Sequence, residues 1–104
     1  MSVKRRPHHD LRAVQAKFAT IDELEITGTA LRSARELGFS LEEIVVVVQA
    51  LEPVDFVKSE TAHSPPNSRV WHDSYVTPYE GWWLYLKFAG ETLIDVVLTS
   101  FKEK

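Results

Sequence analysis

The chain has 104 residues, 44% hydrophobic and 26% charged, with a formal charge of -3 and no cysteine. That length accommodates one domain, residues 1–104, with a single core, and the composition is that of a folded globular protein rather than a disordered one. Disulfides and cysteine-based metal or redox sites are excluded, and no apolar run approaches the roughly 18 residues of a transmembrane helix. The N-terminus lacks the apolar core of a signal peptide, so the expectation is a cytoplasmic protein with no membrane partner.

A net acidic chain matches indiscriminate nucleic-acid binding poorly, yet its charge is uneven. Lys4, Arg5, Arg6, Arg12 and Lys17 face only Asp10 within the first twenty residues. The basic N-terminal segment, residues 1–8, reads equally as a cationic surface or as a solvated chain end.

In chain order, DLRAVQAKF (10–18) predicts a short helix with Asp10 as N-cap and Leu11, Val14 and Phe18 on one face. Asp22–Ile26 reads as a small extended piece. A second helix spans Thr27 or Thr29 to Leu37, with Leu31, Ala34 and Leu37 inward and Gly38 as its stop. The run Val45–Val48 alone favours a strand, but Ser40 and Glu43 have capping-box spacing and decide for a third helix, which Pro53 closes.

Beyond Pro53 the periodicity changes. VDFVKSE (54–60), RVWHDSYV (69–76), WWLYLKF (82–88) and TLIDVVLTSF (92–101) are rich in β-branched and aromatic residues and predict four strands, most simply an antiparallel meander. HSPPNS (63–68) reads as an exposed loop, and Gly81 and Ala89–Glu91 mark the later turns. Helices first and strands after predict an α+β fold with the helices on one face of the sheet.

Alternation turns Trp82, Leu84, Leu86 and Phe88 towards the helices and Trp83, Tyr85 and Lys87 to the opposite face. Such a face suits base stacking and phosphate binding, and equally an ordinary half-exposed sheet surface. The same alternation buries Ile94, Val96 and Leu98. It would also send Lys102 inward, so the last strand must bulge, twist or fray for Lys102 to reach a site. Asp73 points away from the face that carries His72 and reads as structural. His8, His9 and His63 lack a shared spacing with further ligands and read as terminal or loop residues, leaving no metal site.

Lys58, His72, Tyr85 and Lys102 lie one on each predicted strand. Lys, His and Tyr can cleave RNA without a metal, because the ribose 2′-hydroxyl is a built-in nucleophile that needs a base, an acid and nearby positive charge.

Taken in order, KRRPH (4–8), the helix ending in ELG (36–38), DFVKS (55–59), RVWHDSY (69–75), LYLKF (84–88) and SFKEK (100–104) resemble the motility quorum-sensing regulator (MqsR) toxin family from Lys4 to the last residue. The resemblance implies a RelE-like ribonuclease fold and a ribosome-independent mRNA interferase that cuts single-stranded messages at short GC-containing sites. It implies an MqsA-like antitoxin partner, which would carry any zinc and a helix-turn-helix part. It also assigns Lys58, Tyr85 and Lys102 as catalytic residues. At the fourth site position the family's usual glutamine is replaced by His72, which can transfer a proton as well as position groups. Val57 and Glu60 also depart from the family pattern, and Glu60 adds negative charge near the expected phosphate. Arg69, Trp83 and Lys87 are the accompanying RNA-binding candidates. Two other readings remain: a degenerate member that binds antitoxin without useful nuclease activity, and a non-enzymatic α+β module whose Trp82/Trp83 pair is an interface patch.

Overall fold

The computed structural model describes residues 2–63 and 66–104, except for the side chain of His63. In chain order the elements are β1 (Val3–Lys4), α1 (Leu11–Lys17), α2 (Gly28–Glu36), α3 (Leu41–Ala50), β2 (Phe56–His63), β3 (Pro66–Tyr79), β4 (Trp82–Gly90) and β5 (Val97–Glu103). Every helix begins where a side chain can accept from an orphan backbone N–H. Asp10 accepts from the Ala13 amide at 3.0 Å and Thr27 from the Ala30 amide at 3.2 Å. Ser40 and Glu43 bond reciprocally at 3.2 and 3.0 Å as the expected capping box. Such caps contribute about 1 kcal/mol each. The valine run is helical and amphipathic: Val45, Val47 and Val48 are buried while Val46 is half exposed.

The strands form one antiparallel sheet in the order β1-β2-β3-β4-β5. All three helices cover the same face. Phe18, Ala34, Ile44 and Val47 pack there against Leu84, Leu86, Phe88, Leu98 and Phe101. Burying each large side chain is worth about 1.5–3 kcal/mol, so this layer supplies most of the driving force. Gln15, only 4% exposed, ties α1 to the end of α3 by donating to the carbonyls of Val48 (3.1 Å) and Leu51 (2.9 Å). A two-residue turn, Glu80 at φ 46° and Gly81 at φ 87°, joins β3 to β4. Both residues at positive φ make this the hairpin turn whose twist matches the strands.

Several expectations need correction. Residues 22–26 are not extended throughout: Ile21–Glu23 form a 3-10 turn, and only Ile26 makes a bridge, parallel to Leu98. The last strand begins at Val97 rather than Thr92, so Ile94 is 87% exposed while Val96 and Leu98 are buried. Asp95 causes the difference, because its carboxylate accepts from the Glu91 amide (3.1 Å) and the Thr92 amide (2.8 Å) and folds this stretch into a turn. These hydrogen bonds, those from Thr92 foremost, hold the Asp95 carboxyl down at about 2. Gly90 permits the chain's return, since a Cβ there would meet the Val96 Cα at 2.8 Å. The 63–68 connection is largely hairpin rather than loop, with His63 paired to Pro66 and Ala62 to Asn67, and residues 64–65 lie outside the described residues.

The N-terminal segment is ordered rather than loose. Val3 and Lys4 add an edge strand against Glu60 and Ser59. The buried Asp73 carboxylate then accepts from the backbone N–H groups of His8 (3.0 Å) and His9 (2.8 Å) and from the Ser59 hydroxyl. Asp73 is therefore structural, as its strand parity predicts. His8 stacks on Trp71 with ring centroids 5.2 Å apart, and His9 is 4% exposed with Nε2 3.1 Å from the Gly90 carbonyl oxygen. Neither histidine is a solvated terminal residue.

Candidate active site on the open face of the sheet

Directly paired residues of an antiparallel sheet share a face, so the ladder register fixes what the uncovered face displays. One row across the strands is Lys58, Ser74, Lys87 and Ser100. The next row towards the β3–β4 turn is Val76, Tyr85 and Lys102, and beyond it lie Pro78 and Trp83. In the other direction come Glu60, His72 and Ala89. Neighbouring rows are roughly 7 Å apart and neighbouring strands about 4.8 Å apart. All four catalytic candidates thus stand on the uncovered face.

Lys102 reaches this face through a bulge. Lys87 pairs with Ser100 but Phe88 pairs with Leu98, so Thr99 is an extra residue on β5, and its hydroxyl donates to the Lys87 carbonyl at 3.2 Å. Leu98 and Phe101 can both face the core as a result, and Lys102 turns outward opposite Tyr85. Its ammonium lies 5.5 Å from the Tyr85 ring centroid, within cation–π range. Tyr85, Lys87, Ser100, Lys102, Glu103 and Lys104 line a shallow depression of about 350 Å³. Three ammonium side chains against one carboxylate side chain make it a local anion-attracting patch on an acidic protein.

Sequence reasoning does not single out Ser74, yet this residue holds the centre of the face. It is fully buried, and its Oγ lies 3.0 Å from the Tyr85 hydroxyl. A serine inside a β-branched and aromatic strand gives no sequence signal; only the β3–β4 register places it beside Tyr85. Across from it, the Lys58 ammonium forms an ion pair with Glu60 at 3.4 Å.

The remaining candidates spread outward. His72 sits one row beyond Ser74, opposite Glu60 and Ala89, roughly 13 Å along the strands from the Tyr85 row. Trp83, 58% exposed, flanks Tyr85 on the turn side, and Lys87 lies in the Ser74 row. Arg69 is exposed and seven residues along β3 from Val76, the partner of Tyr85, or roughly 23 Å away. It stands apart from the cluster. Among the described residues, no group of three or more His, Cys, Asp or Glu is placed to hold a metal ion.

The sequence model of the motility quorum-sensing regulator family, described as the toxin of MqsA, matches residues 6–103. The chain belongs to this toxin family. An Escherichia coli K12 protein named mRNA interferase toxin MqsR is 35% identical over 101 residues, covering 97% of this chain and 98% of that protein. For a member of the MqsR family, the open sheet face acquires a chemical context, because a single-stranded nucleic acid needs exposed aromatic faces and cations in one groove. In this family member no helix among the described residues is long and apolar enough to cross a membrane.

Proposed function

We propose that this protein is the toxin of a toxin–antitoxin pair and an endoribonuclease that cleaves mRNA without a metal ion, on the open face of its sheet. The observation that carries the reading is the convergence of Tyr85, Lys102, Lys87 and Ser74 around one cationic depression. The family membership and the activity in the relative's name support it. The substrate is single-stranded message cut at short GC-containing sites, and the partner that restrains the toxin is an MqsA-like antitoxin whose zinc-binding and helix-turn-helix parts lie on the partner.

In the proposed reaction the ribose 2′-oxygen attacks the adjacent phosphorus, the 5′-oxygen leaves, and the 2′-proton passes to a base. Lys102 and Lys58 stabilise the negative charge that grows on the phosphoryl oxygens. Tyr85 donates to the phosphate or to the departing 5′-oxygen, and the Ser74 hydroxyl orients it. His72, one row beyond, serves as proton-transfer group for a substrate lying across the rows. Trp83 stacks a base, Lys87 holds the phosphate backbone, and Arg69 contacts RNA leaving towards the β2–β3 hairpin.

A second reading has one observation in its favour. The Glu60 carboxylate already occupies Lys58, so an incoming phosphate must displace it, and a member with reduced cleavage and intact antitoxin binding follows. Surface pairs are worth about 0–1 kcal/mol, and this one, half exposed at Lys58 and largely covered at Glu60, lies towards the upper end of that range, which a dianionic transition state outcompetes. The deciding experiment is incubation of the purified protein with a defined message in excess EDTA, with the cut sites mapped. Discrete cuts with 2′,3′-cyclic phosphate ends are expected. Intact RNA in EDTA that is cut on adding a divalent metal would sink metal independence, and intact RNA under both conditions would favour the degenerate member.

A further inference from the structure

Arg5 and Arg6 follow directly on β1, where the chain has paired Lys4 with Ser59 and runs on past Lys58 towards Phe56 along the sheet's edge. Both are exposed, and among the described residues neither guanidinium has a hydrogen bond or an ion pair. Although consecutive in the chain, both line one cleft, which concentrates positive charge there. The segment that carries them is fixed at both ends. On one side Lys4 places its ammonium 4.1 Å from the Trp71 ring centroid and 3.0 Å from the His8 Nδ1. On the other, Asp73 grips the amides of His8 and His9. The cleft, of about 530 Å³, opens beside the pair at the covered side of the sheet edge and is lined also by Pro7, Pro53, Phe56 and the nearly fully buried Tyr75. Asp10 also lines it while capping α1, and a backbone hydrogen bond does not cancel its charge, so two guanidinium groups stand there against one carboxylate.

We infer that Arg5 and Arg6 form a second anion-binding subsite, which takes the phosphodiester backbone of single-stranded RNA flanking the scissile bond while Phe56 and the two prolines pack against a sugar or base. Guanidinium groups suit phosphate because their planar fork donates two parallel hydrogen bonds. The position fits a strand that crosses the open face from Lys102 over Lys87 and Lys58 and then turns around the β1 edge, since Phe56 and Tyr75 belong to the covered face. Four strand spacings separate β5 from β1, about 19 Å in all, a span of a few nucleotides. The identity of the ligand rests on the RNA-cleaving reading; the unpaired cations, the clamp and the cleft do not.

The test is equilibrium binding of a fluorescent twelve-nucleotide 2′-O-methyl RNA, which lacks the nucleophile and stays intact, measured over a salt series. Arg5→Gln/Arg6→Gln should weaken binding about tenfold and reduce the log–log salt slope by about 1.4, about 0.7 for each phosphate that is no longer neutralised. Arg32→Gln/Arg35→Gln, which removes two exposed charges from α2, should change neither. Equal losses in the two variants would overturn the subsite in favour of net charge. Unchanged RNA binding by Arg5→Gln/Arg6→Gln overturns it as well, and if antitoxin association weakens at the same time the cleft is a protein interface instead. A wild-type protein that does not bind the oligomer removes the RNA reading itself, and the subsite with it.

Discussion

At the scale of single residues, the open face turns on a hydroxyl pair. The Ser74 hydroxyl is buried in the sheet and has the Tyr85 hydroxyl as its partner at 3.0 Å. If Tyr85 gives up its proton in the transition state, a hydrogen bond from Ser74 strengthens as charge develops on the phenolic oxygen. Tyr85→Phe is expected to lower kcat by about a hundredfold or more, the usual worth of a proton-transfer group. Ser74→Ala should lower kcat about tenfold with KM unchanged, in line with the roughly 1.4 kcal/mol of one such bond. Because Ser74 acts through Tyr85, the double variant should be no slower than Tyr85→Phe alone. A further tenfold loss in the double variant would mean that Ser74 acts elsewhere, and full activity in Ser74→Ala would dismiss it. The sequence makes Tyr85, Lys58 and Lys102 visible through their motifs. Ser74 stays hidden because its role depends on a cross-strand neighbour eleven positions away.

At the scale of elements, helix starts and the alternation of β4 were legible because both are local. Capping residues and inward-facing positions follow from spacings of two to four residues, and the structure agrees with them. What the periodicity leaves open is β5, where strict alternation cannot bury both Leu98 and Phe101 and still present Lys102. The Thr99 bulge resolves this, and it makes a sharp prediction. Deleting Thr99 removes the extra residue and restores regular pairing: Leu98 stays opposite Phe88 and Ser100 opposite Lys87, so Phe101 keeps facing the core and Lys102 the open face. The deletion should therefore cost no more than about 1.5 kcal/mol, the worth of the lost Thr99 hydroxyl bond, read as a small fall in the urea midpoint, with RNA cleavage retained. A deletion variant that is strongly destabilised or has lost cleavage would show that the bulge itself, and not only the outward parity of Lys102, shapes the site. Edge features were the least legible: β1 is two residues long, and the turn before β5 is set by Asp95 side-chain bonds that no hydrophobic pattern reports.

At the scale of the whole molecule, the N-terminal segment and the sheet are one unit, and histidine chemistry makes their union sensitive to pH. His9 is buried against the end of β4, and burial lowers its pKa below the ordinary 6.5; the Asp73 carboxylate opposes that shift without reversing it. In the unfolded chain the imidazole is hydrated and takes a proton at the ordinary value. The unfolded state therefore binds more protons between 6.5 and the lower folded pKa, and stability must fall as the pH drops through that window. Above the window the contribution is fully retained. Thermal unfolding of the wild type should show a declining Tm from pH 7 to pH 5, and His9→Gln, which keeps a donor but does not titrate, should flatten the decline. The difference between the two proteins isolates His9 from the other histidines. Because His9 sits next to the Asp73 clamp that fixes Arg5 and Arg6, the same acid step should loosen the cleft before the core gives way. Amide exchange at His8 and His9 accelerating below pH 6, with α3 still protected, is the expected signature; simultaneous loss of protection in both would mean that the segment and the core unfold as one.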